Sequence, residues 1–305
     1  MDKKTLVEEI IQLKKQHNAI LLAHNYQLPE VQDIADHLGD SLELAKIASK
    51  TTADVIVFCG VKFMAESAKI LNPQKTVLLP DIDSNCPLAD TATPQKVQKL
   101  KAQHPNAQVV AYINTTAAVK AEADICCTSA NGVSVVKSIK EQDIIFLPDK
   151  NLGHYISKQL PEKNLIIWPG YCYVHHEMDK DHIKTLKEKH PQAELLVHPE
   201  CQPDIVELAD HVYSTNGMVH HAKTSDATEF IIGTEKEMCY RLRKENPNKT
   251  FYEVNQSTCL DMKKITLEKI YHSLKTLTPE ITLPEETFNK AKKPLEAMMN
   301  IKRGD

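Results

Sequence analysis

A chain of 305 residues with 42% hydrophobic and 26% charged residues can bury a sizeable core beneath an ordinary soluble surface. Its net charge of −4 offers no basic face to nucleic acid or to an anionic membrane, and no apolar run approaches the ~18 residues that a membrane span needs. The expected setting is the cytoplasm, where eight cysteines stay reduced rather than forming a disulfide framework.

The first element, "MDKKTLVEEIIQLKKQ", lacks the apolar centre of a signal peptide and predicts an amphipathic helix. A strand follows in "AILLAHNY" from Ala19, ending in the polar pair His24 and Tyr26. After a helical stretch comes "GDS", with Asp40 and Ser41, then a second strand "DVIVFCG", a helix "MAESAKIL" and a third strand "KTVLLPDIDSNC" that reaches Cys86. The same order returns twice. "QVVAYINT" ends in Tyr112 and Asn114, "CTSANG" supplies Ser129, and "DIIFLPD", "LGHYISKQL" and "NLIIWPGYC" lead to Cys172. "ELLVHPEC" carries His198 and Glu200, "YSTNG" supplies Thr215, and "EFIIGTE", "MCYRLRKEN" and "KTFYEVNQSTC" lead to Cys259.

Continuous apolar runs separated by helices are the pattern of parallel strands buried on both faces. The sequence therefore predicts an α/β fold of three repeated β-α-β-α-β, Rossmann-like domains around a pseudo-threefold axis, over residues 1–89, 90–176 and 177–262. Residues 263–305 are expected to form a helical tail, broken at prolines, that packs back on the body. Neither GxGxxG nor GxxxxGK[ST] occurs, so no standard nucleotide loop is expected.

Cys86, Cys172 and Cys259 close the three repeats, 86 and then 87 residues apart. Equivalent positions converge on one axis, and three thiolates there require a metal to neutralise them. The bland alternative is three ordinary buried cysteines. Three thiolates suit zinc with a fourth ligand or an iron–sulfur cluster with one iron open, and spacing does not choose between them. CxxC is absent, as is HExxH around His175 and His176 in "CYVHHEM". The polar clusters fall at carboxyl ends of strands, where α/β sheets bind ligands. Ser41, Ser129 and Thr215 before helical stretches suggest a pocket for a small polyanion, against the plainer reading of simple N-caps. His198 and Glu200 are candidates for acid–base work, or for zinc ligation together with Cys201.

The motifs "AHNYQ", "GDSLELAK", "FCGVKFMAESAKIL", "CPLAD", "WPGYCYVHHEM", "HPEC", "STNGM" and "MKKITLEKIY", in this order over nearly the whole chain, closely resemble the quinolinate synthase family of NAD biosynthesis. The resemblance implies an oxygen-sensitive 4Fe–4S cluster on Cys86, Cys172 and Cys259 with one open iron site. It also implies a transferase-type condensation of iminoaspartate with dihydroxyacetone phosphate, losing phosphate and water. The upstream source of iminoaspartate would be an L-aspartate oxidase or an aspartate dehydrogenase. By the same resemblance Glu200 is the acid–base residue, with His24, Tyr26 and His198 as proton shuttles or substrate clamps. Tyr112, Asn114, Ser129, His175 and Thr215 match substrate-binding positions, and Asp40 and Ser41 a phosphate or carboxylate site. Two departures stand out. The CxxCxxC that some members carry near the third ligand is missing, and "NCPLAD" replaces the usual "GCSMAD", which puts Asn85 and Pro87 beside Cys86. Rival readings are a zinc-dependent hydrolase or lyase on the same cysteines, and a non-catalytic iron–sulfur metabolite sensor. The chain has no basic recognition helix to serve the latter.

Overall fold

Leu21, Leu22 and Ala23 in the first strand, and every residue from Val55 to Cys59 in its neighbour, are buried, as strands covered by helices on both faces must be. The computed structural model describes residues 1–255 and 257–305; residue 256, in the run leading to Cys259, lies outside the described residues. The first repeat contains β1 (Ala19–His24), β2 (His37–Gly39), β3 (Val55–Cys59) and β4 (Thr76–Leu78). The second contains β5 (Gln108–Tyr112), β6 (Ile125–Cys127), β7 (Asp143–Leu147) and β8 (Asn164–Ile167). The third contains β9 (Glu194–Val197), β10 (His211–Val212), β11 (Glu229–Gly233) and β12 (Thr250–Glu253). Each forms one parallel four-stranded sheet, in the orders β2-β1-β3-β4, β6-β5-β7-β8 and β10-β9-β11-β12.

The α/β class and the threefold repetition are as the sequence predicts, with one addition. Each unit has a fourth strand at the sheet edge, β2, β6 or β10. These strands are two or three residues long, too short to leave a periodic signal. Each is set by the same device. Asp36, Asp124 and Asp210 accept a hydrogen bond from the backbone N–H of Leu21, Val109 and Leu195 at 2.7, 2.8 and 2.7 Å. Their own N–H groups return a bond to the carbonyls of those residues. The edge strand is thereby locked in register before it begins.

From β1, β5 or β9 the chain passes to the edge strand on one side and then to the strand on the other side, and in such parallel sheets this switch point opens a crevice at the carboxyl ends of the strands. The N-terminal helix Lys3–Gln16 buries Leu6 and Ile10 and packs against the helix Leu267–Thr276. The helix Glu285–Met299 lies across β6 and the helix Lys62–Leu71, so it joins the first two repeats. Among the described residues no helix is long and apolar enough to cross a membrane.

Candidate metal centre and active site

The loop before each cysteine is held in the same way. The carbonyl oxygens of Ser84, Gly170 and Ser257, each two residues upstream, accept from the N–H groups of Lys62, Lys150 and Lys236 at 2.7, 2.7 and 2.9 Å. In the second and third repeats a buried acid adds support. Asp149 Oδ2 accepts from the Cys172 N–H at 3.0 Å, and Glu235 Oε1 from the Cys259 N–H at 3.3 Å. Gly170 is constrained further, because a Cβ there would meet the Pro148 carbonyl and Thr91 Oγ1, each at 2.5 Å. We expect Gly170→Ala to push the Cys172 loop out of place. The variant should lose bound metal and unfold at a lower temperature, read by metal analysis beside thermal melting, whereas Ser84→Ala should keep its metal.

Cys86, Cys172 and Cys259 open onto one cavity between the three sheets. Burial raises all three thiols, Cys259 to about 11, while Cys172 is pushed up further by Glu200, Cys86 and Cys259. Thiols raised in this way at one site need a cation before they become thiolates. Backbone N–H groups of Ala89 and Leu88 favour the Cys86 thiolate, and that of Met262 favours Cys259. This donor set fits a metal centre held by three thiolates. The other cysteines are buried apart from it. Cys201, a candidate zinc ligand in the sequence, does not line this cavity. Its Sγ lies 3.5 Å from the Gly233 carbonyl oxygen and 3.7 Å from Met178 Sδ.

All the other candidate residues line the same cavity: His24, Tyr26, Asp40, Ser41, Tyr112, Asn114, Ser129, His175, His198, Glu200 and Thr215. The loops after β1 and β5 are shaped by different side chains in one role. Gln32 Nε2 donates to the carbonyls of Asn25 and Gln27 at 3.1 and 2.8 Å. At the equivalent place the fully buried Lys120 donates through Nζ to Ile113 O at 2.7 Å and to Thr115 O. Burial brings Lys120 down to about 8, against the pull of Cys126 and Glu66.

Glu200 and His175 are each 2% exposed, with Glu200 Oε2 2.7 Å from His175 Nδ1. The approach is close without meeting the geometry of a linear hydrogen bond at Nδ1. Glu200 Oε1 has no hydrogen-bond partner among the described residues. Burial opposes ionisation of Glu200, yet His175, His198 and the Tyr112 hydroxyl outweigh it and hold the carboxyl below its ordinary range. His175 Nε2 lies 2.9 Å from Thr234 Oγ1, which is 2.5 Å from the Tyr26 hydroxyl. His198 stacks on His175 with ring centres 4.5 Å apart.

His24 and His198 share one geometry. The Tyr26 N–H donates to His24 Nδ1 at 3.2 Å, and the Glu200 N–H to His198 Nδ1 at 3.3 Å. Burial lowers His24 to about 4 and His198 to about 3, so both rings are neutral at neutral pH. With Nδ1 accepting, each carries its proton on Nε2.

The helix starts differ from simple caps. Asp40 Oδ1 caps the helix Ser41–Lys50 at the Glu43 N–H, and Ser214 Oγ caps Thr215–Thr224 at the Gly217 N–H. Ser41 and Thr215 stand one residue inside, free of capping, with Thr215 Oγ1 accepting from Asn25 Nδ2 at 2.8 Å. Ser129 precedes the Asn131 cap of Gly132–Ser138. The sequence did not single out Thr234, Lys120, Asp149 or Glu235. Their common signal is register, since Thr234, Asp149 and Glu235 immediately follow second strands.

Cys172, His175 and Glu200 place ligand atoms within 4.8 Å of one another. The site therefore sets a thiol group, a carboxylate and neutral imidazole donors around one buried space, suited to a Lewis acid with acid–base partners.

A family model described as Quinolinate synthetase A protein matches residues 8–300. The quinolinate synthase of Thermodesulfovibrio yellowstonii is 52% identical over 97% of this chain and 98% of its own length. That of Caldicellulosiruptor saccharolyticus is 51% identical over 99% and 100%, and that of Aquifex aeolicus 49% over 98% and 94%.

Proposed function

The chain belongs to the quinolinate synthase family, and from that membership we propose that its central cavity condenses iminoaspartate with dihydroxyacetone phosphate, a transferase reaction losing phosphate and water. The observation that supports this reading most directly is the meeting of three thiols, one from each repeat, beside the ionised Glu200. Cys86, Cys172 and Cys259 would hold a 4Fe–4S cluster through three thiolates, leaving one iron without a protein ligand. When bound, that cluster supplies a Lewis acid able to polarise a carboxylate or hydroxyl for dehydration.

The chain's own residues do the rest. Glu200 Oε1 takes up and returns protons, while His175 keeps the other oxygen engaged. His24 and His198 donate from Nε2 to substrate oxygens without adding charge. Tyr26, Thr234 and His175 form a relay of hydroxyls and imidazole behind Glu200. Ser41, Ser129 and Thr215, with Asp40 shaping the first site, hold the anionic ends of the substrates, and Tyr112 and Asn114 orient them from the second repeat.

The mixed set Cys172, His175 and Glu200 is also one that zinc accepts. Iron and sulfide analysis of anaerobically purified protein, together with quinolinate formation from the two substrates, decides the matter. Stoichiometric zinc with no iron, and no quinolinate, would refute the proposal. Ser129→Ala and Thr215→Ala should each weaken binding of pyridine-2,3-dicarboxylate about tenfold, the cost of one hydrogen bond to a charged group. Isothermal titration of cluster-loaded protein checks it.

A further inference from the structure

The segment after the helix Glu285–Met299 runs behind the cavity and touches all three repeats next to the residues proposed to hold anions. Arg303 Nη1 donates to Asp40 Oδ2 at 2.8 Å, and Nη2 to Ser214 Oγ at 2.7 Å and to Asp305 Oδ1 at 3.1 Å. The Gly304 N–H donates to the Ala130 carbonyl at 2.7 Å, beside Ser129. Asp305 Oδ2 accepts from the Ser214 N–H at 2.7 Å. These residues lie outside the 8–300 span that the family model matches.

Arg303 thus grips two helix caps at once. Asp40 uses one oxygen to cap Ser41–Lys50 and the other for Arg303. Ser214 Oγ caps Thr215–Thr224 and also receives Arg303. Asp40 and Ser214 are both buried, so these charge-assisted bonds are stronger than an exposed surface ion pair. The caps also meet directly, Ser214 Oγ lying 3.4 Å from Asp40 Oδ2, and the planar fork braces that contact from two sides, and with it the separation of Ser41 and Thr215, which open on the cavity from the first and third repeats. A single ammonium cannot span both acceptors in the same geometry.

We propose that Arg303 is a positioning residue: by bridging the Asp40 and Ser214 caps it sets the separation of Ser41 and Thr215, and so the fit of the anionic substrate between the first and third repeats. This rests on the reading of Ser41 and Thr215 as substrate-binding residues. Arg303 reaches the substrate only through those caps.

The test compares wild type, Arg303→Ala and Arg303→Lys as anaerobic, cluster-loaded enzyme. We measure pyridine-2,3-dicarboxylate affinity, KM and kcat, with and without added guanidinium chloride at sub-denaturing concentration. Arg303→Ala should weaken dicarboxylate binding and raise KM about tenfold, the worth of a charged hydrogen bond. Its kcat should fall less, its cluster absorbance should be unchanged, and guanidinium should recover part of the affinity. Should the alanine variant fail to fold, the lysine variant carries the test and must show a smaller rise in KM in the same direction. Unchanged affinity overturns the proposal. So does an equal loss in every variant that guanidinium does not relieve, since that is the mark of general destabilisation. Ser41→Ala and Thr215→Ala run alongside. If they leave affinity intact, the substrate-site reading itself fails; if they weaken it while the Arg303 variants do not, only the positioning role is lost.

Discussion

Serine at position 86, 172 or 259 is expected to leave the anaerobically purified protein without its full iron and without quinolinate synthesis. Desolvation raises each of these thiols, with Cys259 pushing Cys86 further up and Cys86 and Cys259 doing the same to Cys172. Removing one leaves two thiol donors from two repeats, too few to hold a cluster. The controls are Cys126→Ser, Cys127→Ser and Cys239→Ser. These side chains are fully buried, so a hydroxyl there costs about 1–3 kcal/mol when unpaired. Those variants should melt earlier yet keep iron and turnover. Iron per chain, sulfide per chain and visible absorbance give the answer. Full iron and activity in Cys172→Ser would end the assignment of the three ligands.

The repeat could be read from the sequence because β1, β3, β5, β7, β9 and β11 are unbroken apolar runs, and because the cysteines recur in step with them. The cavity's polar residues were legible for the same reason, being tied to the ends of those runs. What stayed hidden is chemistry carried by unlike residues. Gln32 and Lys120 hold equivalent loop carbonyls, yet an amide and an ammonium share no pattern in a single sequence. Asp149 and Glu235 both receive a cysteine N–H, while the first repeat has Val61 at that register. The caps were ambiguous because "DS" and "ST" each offer two hydrogen-bonding side chains in a row. Only backbone geometry decides which one caps and which faces the ligand. Asp36, Asp124 and Asp210 were the missed opportunity, since each follows an alanine at the same place in its repeat and marks the start of an edge strand.

Glu200→Gln is expected to cut turnover by roughly a hundredfold or more while leaving the cluster in place. Glu200 is the one carboxylate among the three first-strand clusters, where the same register holds Tyr26 and Asn114. Its Oε1 lacks a partner among the described residues, while Oε2 sits 2.7 Å from His175 Nδ1. A buried carboxylate with one oxygen free is placed to exchange a proton with a bound substrate, and a positioned acid–base group commonly contributes about 10²–10⁴-fold. Glutamine keeps the volume and can still meet His175, so ligand affinity should change far less than kcat. The cysteines keep their own supports at Asp149, Glu235 and the Ser84, Gly170 and Ser257 carbonyls, so the cluster spectrum should be unaltered. Anaerobic quinolinate formation is measured beside iron content and pyridine-2,3-dicarboxylate affinity. Near-normal turnover would move the base to His198 or Tyr26. Loss of iron together with turnover would instead make Glu200 a support of the Cys172 side of the metal centre, as their closeness within the Cys172–His175–Glu200 group permits.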